Sequence, residues 1–262
     1  MNTPDAHPLL LTREGGVVTL VFNRPAAMNA LDVPTALAFL AACHSLKDDP
    51  EVRVVVIRGE GKAFGVGGDL AELQQGSGTT PAGLIDPLHE GIKILAALNA
   101  PVIASLHGVV AGGSLSLSMA CDLAIAAEGT RFNLAYANVA ANCDVSGSWS
   151  LPRLVGLRNA MQIALLSDTF DAAEALRLGL VNKVVAADRL HEETQALAQR
   201  LAAGPTLAYG RLKRLLRQSF ETDLATQLDA ERDNFTASSK TADFKEALLA
   251  FFAKRRPVFF GK

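Results

Sequence analysis

Cysteine is scarce in this chain of 262 residues: Cys43, Cys121 and Cys143 are odd in number, widely spaced and form no CxxC pair. That pattern excludes a disulfide framework and a zinc site, and fits reduced thiols in the cytoplasm. The five histidines show no ligand spacing, so no metal is expected. An excess of one charge is also lacking. With 25 Lys and Arg against 27 Asp and Glu, the net charge is -2, and no bulk field favours nucleic acid or an anionic membrane. The basic cluster at residues 211–217 is too small to argue for RNA. Long apolar runs are missing too. The least polar stretch, residues 108–121, is rich in Gly, Ala and Ser and framed by His107 and Asp122. It reads as a buried helix rather than a membrane span. No basic n-region precedes Arg13, so no secretory signal is expected. Neither GxGxxG at a first strand–helix turn nor GxxxxGK followed by Ser or Thr occurs, which removes the common nucleotide loops.

What remains is an ordinary globular composition, 49% hydrophobic and 20% charged, in a chain long enough for one substantial core. Short Val- and Ile-rich runs at residues 17–22, 52–58, 102–106, 123–126 and 181–185 predict strands. Helices are expected at 35–46, 88–98, 112–121, 158–166 and 172–178, and this alternation predicts an α/β layered fold. The run Val54-Val55-Val56-Ile57 suggests a strand covered on both faces. Residues 74–83, QQGSGTTPAG, read as a surface loop.

Beyond residue 200 the strands stop. Pro205 after Gly204 suits the first position of a helix, and Phe244, Ala247, Leu248, Phe251 and Phe252 fall on one helical face. The chain therefore divides into a core, residues 1–200, and a helical region, 201–262, that packs either on that core or on a neighbouring subunit.

Two glycine segments could carry chemistry. Residues 61–70, GKAFGVGGDL, follow a strand, and residues 107–114, HGVVAGGS, open a helix. A peptide N–H approaches an oxygen closely where no side chain intrudes, and a helix N-terminus adds its dipole. Two such donors on one thioester oxygen would form an oxyanion hole, each worth about 3 kcal/mol of barrier lowering.

Asn23-Arg24-Pro25 with Met28-Asn29-Ala30-Leu31, then KAFGVGGDL, GVVAGGSLSLSMACDLAIA, LPRLVG, GLV and the closing FKEALLAFFAKRRPVFFGK resemble, in order, the crotonase (enoyl-CoA hydratase/isomerase) superfamily. The resemblance spans nearly the whole chain. It implies a spiral of ββα units with a C-terminal helical region that mediates trimers or dimers of trimers. It also implies an acyl-CoA thioester substrate with no cofactor beyond that coenzyme A, and an oxyanion hole from the N–H groups of Gly68 and Gly113. Arg24, Ala27, Met28, Ala30, Ala63 and Val66 would contact the substrate, as would Asp69, Leu70, Val109, Ser116 and Tyr136. Arg24 could reach a coenzyme A phosphate, as could Lys254 from an adjacent subunit.

The two glutamates of typical hydratases correspond here to Ser116 and Tyr136, neither an effective acid or base near neutral pH. Asp144 instead coincides with the aspartate of certain enoyl-CoA isomerases and with the nucleophile of 4-chlorobenzoyl-CoA dehalogenases. His89 falls near the water-activating histidine of those dehalogenases, and Tyr136 replaces the tryptophan that orients their aspartate. Double-bond isomerisation needs a single base, so an isomerase is the leading expectation. A dehalogenase or hydrolase using Asp144 and His89, a hydratase, and a non-catalytic acyl-CoA binder are the alternatives. Asp69 is expected to bond local backbone, Cys143 to line the pocket, and Ser114 to bond substrate or pack its helix.

Overall fold

The computed structural model describes residues 7–76 and 80–262. The chain begins with strands β1 (Leu9–Glu14) and β2 (Val17–Phe22), joined through Gly15-Gly16 with Gly15 at φ 56°. A two-residue hairpin loop needs that left-handed geometry, which glycine adopts without penalty. Helix α1 (Val33–Lys47) starts where Asp32 accepts the Thr35 N–H at 2.9 Å. There follow β3 (Val54–Gly59), α2 (Leu70–Gln75), α3 (Thr80–Ala97), β4 (Val102–Leu106), β5 (Val109–Ala111) and α4 (Gly112–Ala120). Then come β6 (Leu123–Ala127), β7 (Arg131–Asn133), α5 (Gly147–Leu166), β8 (Phe170–Asp171), α6 (Ala172–Leu178) and β9 (Lys183–Val185). Helices α7 (Leu190–Ala202), α8 (Thr206–Gln218), α9 (Leu224–Ser239) and α10 (Ala242–Phe252) close the chain.

The main sheet runs β1-β2-β3-β4-β6-β9, parallel except for the edge strand β1, and a smaller sheet runs β5-β7-β8. Successive turns share one plan. Strand β4 lies in the first sheet, β5 in the second, and α4 closes the unit; β6, β7 and α5 repeat it. Isolated parallel bridges, Leu31 with Gly68 and Gly65 with Val110, put the segments after β2 and β3 in the second layer as well. The result is the expected spiral of ββα units.

Within β3, alternate side chains serve different cores. Val55 and Ile57 join the large cluster containing Phe39 and Leu88, while Val54 and Val56 meet Ala198 on α7. Helix cover on both faces explains the unbroken apolar run. Helix α8 is pinned by a buried ion cluster: Lys213 Nζ lies 2.6 Å and Arg217 Nη2 2.9 Å from Asp122, and Lys213 also donates to the carbonyls of Leu95 and Ala100. Burial lowers the Lys213 pKa, and Asp122 opposes that shift. Two members of the 211–217 basic cluster thus point inward.

Three expectations change. Helix α3 begins at Thr80 rather than 88, so the proposed loop shrinks, and its residues 77–79 lie outside the described residues. Helix α5 starts at Gly147, eleven residues earlier than expected, and breaks at Gly156 (φ 76°, ψ 155°). On α10 the buried residues are Asp243 and Ala250, whereas Phe251 and Phe252 are 75% and 79% exposed. Of its apolar face, Phe244 and Ala247 are half-buried, with Phe244 edge-on to Phe235 of α9, while Leu248, Phe251 and Phe252 are exposed. Among the described residues no helix is long and apolar enough to cross a membrane.

Candidate active site

Three segments are drawn together by backbone bonds. Asn29, buried at φ 56°, accepts the Arg24 N–H at 2.9 Å and donates to the carbonyls of Glu60 (2.9 Å) and Ala63 (2.7 Å). The Leu31 N–H donates to Gly67 O and the Asp69 N–H to Leu31 O, both at 2.8 Å. In a parallel bridge of this kind the intervening residue, Gly68, turns its own N–H to the opposite side. Gly65 pairs similarly with β5, donating to Val109 O and accepting from the Ala111 N–H.

Gly67 packs directly against the start of α4. At φ 92°, a Cβ there would lie 3.0 Å from Gly113 N and 3.1 Å from Gly112 Cα. Only glycine fits, for both backbone angle and space. The Gly67 N–H donates to Ser114 Oγ at 3.1 Å, so Ser114 ties the glycine segments together rather than facing a ligand. Gly113 is the second residue of α4, among the first four helix N–H groups that lack an intrahelical acceptor. One N–H from each segment is therefore available for a negatively charged oxygen, with the α4 dipole adding to the attraction.

A carboxylate stands beside this pair. Asp144 Oδ1 is 3.7 Å from where a Cβ on Gly113 would be, and Leu31 Cδ1 and Val145 Cγ2 lie 3.6 Å from the same point. The Tyr136 hydroxyl donates to Asp144 Oδ1 and sits 3.1 Å from Ser116 Oγ. Burial first, and then the Asp144 charge, push the Tyr136 phenol far above its ordinary pKa, so it remains a donor. The two positions that would carry glutamates are thus occupied by a phenol and a hydroxyl, bonded to each other. Burial and the Asp144 charge also raise the pKa of the Cys143 thiol, which argues against a thiolate nucleophile.

Asp144 opens a tight turn. Its carbonyl accepts the Gly147 N–H at 2.8 Å, and the central residues Val145 and Ser146 have φ 51° and 72°. Two positive φ angles favour Gly or Asn, and holding other residues there costs about 1–3 kcal/mol each. The Val145 N–H donates to His89 Nε2 at 3.0 Å. His89 is therefore in place beside Asp144, with Nε2 already engaged as an acceptor.

Arg24 does not point freely at solvent: its guanidinium bonds Ala30 O (2.6 Å) and pairs with Asp32 and Asp69, each at 3.1 Å. Asp69 in turn caps α2 through the N–H groups of Ala71 and Glu72. Ala30 and Ala63 are buried, Ala27, Val66 and Val109 half-buried, and Met28 and Leu70 exposed. Lys254 follows α10, which packs on α9, so its own helix does not bring it to the glycine segments. Sequence reasoning did not find the Asn29 brace, although Asn29 sits inside the quoted motif, and nothing local signals the His89–Val145 bond. A cavity of about 450 Å³ between the ends of α1 and α3 and the start of α8 shares no residue with this site and gathers no comparable chemistry. Among the described residues no cluster of three His, Cys, Asp or Glu could hold a metal ion.

A family model described as enoyl-CoA hydratase/isomerase matches residues 12–262. The chain is 34% identical over 255 residues to a crotonyl-CoA hydratase of Syntrophomonas wolfei, covering 97% of this chain and 98% of that protein. It is also 34% identical over 256 residues to a 1,2-epoxyphenylacetyl-CoA isomerase of Escherichia coli, covering 95% and 97% respectively. Among solved structures, an enoyl-CoA hydratase from Polaromonas sp. JS666 superposes with a TM-score of 0.91 at 33% identity, over 96% of this chain and 99% of that one.

Proposed function

The chain belongs to the enoyl-CoA hydratase/isomerase family, and from that premise we propose that it is an acyl-CoA isomerase with a single carboxylate base. The carrying observation is the placement of Asp144 Oδ1 near Gly113, together with Ser116 and Tyr136 where two further carboxylates would be needed for hydration.

The thioester carbonyl of a β,γ-enoyl-CoA accepts hydrogen bonds from the N–H groups of Gly68 and Gly113. Their polarisation acidifies the α-carbon. Asp144 removes the α-proton, the C–H electron pair enters the dienolate, and negative charge collects on the oxygen held by the two donors. The same carboxyl then returns the proton at the γ-carbon, which moves the double bond into conjugation. No water is consumed. Tyr136 keeps Asp144 oriented by donating to its carboxylate. Ala27, Met28, Ala30, Ala63, Val66, Leu70 and Val109 flank the thioester, and Arg24 acts through Asp69 and Asp32 as a brace rather than as a phosphate ligand. The exposed apolar residues of α8–α10, including Leu216, Phe235 and Phe251, are covered by further copies in a trimer or dimer of trimers, which would also bring Lys254 to a neighbouring site.

The test is α-proton exchange in deuterium oxide with β,γ-enoyl, saturated and aryl-acetyl coenzyme A thioesters, for the native chain and Asp144→Asn. Exchange and double-bond migration that both disappear in Asp144→Asn are expected. Binding of these thioesters without exchange in the native chain would overturn the proposal.

A further inference from the structure

We infer that His89 is a positioning residue whose Nε2, by accepting the Val145 N–H, holds the strained turn that aims Asp144 at the glycine N–H pair. This rests on the reading of Asp144 as the base.

The turn is an improbable one for its sequence. Val145 is β-branched with φ 51° and Ser146 follows at 72°, although such a turn favours Gly or Asn. The Val145 side chain is 1% exposed and packs against the Gly113 position, so it resists any relaxation that would move the turn away. A buried backbone N–H needs an acceptor, and Val145 finds it 56 positions away in sequence, at 3.0 Å. His89 offers this acceptor from a firm platform. Its neighbours on α3, Leu84 and Leu88, are buried, and Gly91 lets the helix close onto Phe39 of α1. An N–H donor facing Nε2 requires the neutral ring with its proton on Nδ1. The Nε2 lone pair is then committed and unavailable for activating water. That separates this role from the base assigned to the corresponding histidine by the resemblance to dehalogenases.

The experiment compares native chain, His89→Leu, His89→Gln and Asp144→Asn in the deuterium exchange assay, with kcat and KM measured separately. His89→Leu removes the acceptor, and the expected loss is about 100-fold in kcat with KM little changed, the size of effect that an ångström-scale misplacement produces. His89→Gln keeps an acceptor oxygen at similar reach and should recover most of that loss. Nitrogen-15 spectra of histidine-labelled native protein should show His89 neutral with Nε2 unprotonated. A folded His89→Gln as inactive as Asp144→Asn, native kcat in His89→Leu, or a protonated Nε2 would each overturn the inference. If His89→Leu does not fold, the Gln variant and the spectrum decide. Loss of the base reading shows separately, as exchange that survives Asp144→Asn.

Discussion

Replacing Gly67 by Ala isolates the close approach on which the donor pair depends. The added methyl would meet Gly113 N at 3.0 Å, Gly112 Cα at 3.1 Å and Ala111 O at 3.2 Å. Ordinary carbon contacts begin near ~3.5 Å, so the two glycine segments must part by about 0.5 Å. Alanine at φ 92° adds a backbone cost of about 1–2 kcal/mol. Gly129 provides the control: at φ 80° it has nothing within 4 Å of a Cβ, so Gly129→Ala bears the backbone cost without the collision. Gly129→Ala should therefore lose about 1–2 kcal/mol in urea denaturation and keep native kcat. Gly67→Ala should lose more stability than the control. It should also lose about 100-fold in kcat for α-proton exchange, because a displaced donor forfeits about 3 kcal/mol of transition-state stabilisation. Equal behaviour of the two variants in both assays would refute the reasoning, because the segments would then not need their contact.

Asp122→Asn should cost about 3–5 kcal/mol in urea denaturation, since it strands the buried Lys213 and leaves Arg217 unpaired; a loss under about 1 kcal/mol would show that α8 is held otherwise. Tyr136 has a raised pKa in the folded chain, so its contribution to stability is complete below about pH 10, its unfolded value, and is lost as pH rises toward the folded one. In a Tyr209→Phe background, the folded protein at pH 11 should therefore show no tyrosinate absorbance until urea unfolds it. Burial pushes the Cys43 and Cys121 thiols up to about 12, so Ellman's reagent at pH 8 should reach both only on unfolding. Phe251→Ser with Phe252→Ser should shift the species seen by light scattering toward the monomer, and an unchanged mass would remove α10 from the assembly surface.

Much of the architecture is written in short stretches of chain. The strands β2 and β4 and helix α6 fall at the residues their patterns predict, because alternation, apolar runs and capping aspartates such as Asp171 act over a few positions. The Val- and Ile-rich runs do not mark hairpin strand β1, although Gly15-Gly16 announces its turn, since it is built of Leu9, Leu10 and Leu11 followed by Thr, Arg and Glu, with no Val or Ile. The early start of α3 was hidden by Pro81, Gly83 and Pro87, loop-forming residues that tertiary packing overrides. The broken α5 was hidden by Pro152 and Gly156 in the same way.

The sequence by itself determined the layered α/β plan, the glycine segments and the absence of carboxylates at positions 116 and 136, because residue identity and short spacing suffice for these. Only the tertiary structure decided that Ser114 joins the two glycine segments, that Arg24 is taken up by Asp32 and Asp69, and that His89 reaches Val145. Each of these bonds links residues from 8 to 56 positions apart, between 24 and 32, 24 and 69, 67 and 114, or 89 and 145. No local propensity encodes such contacts; they exist because the spiral returns the chain to the same place on successive turns.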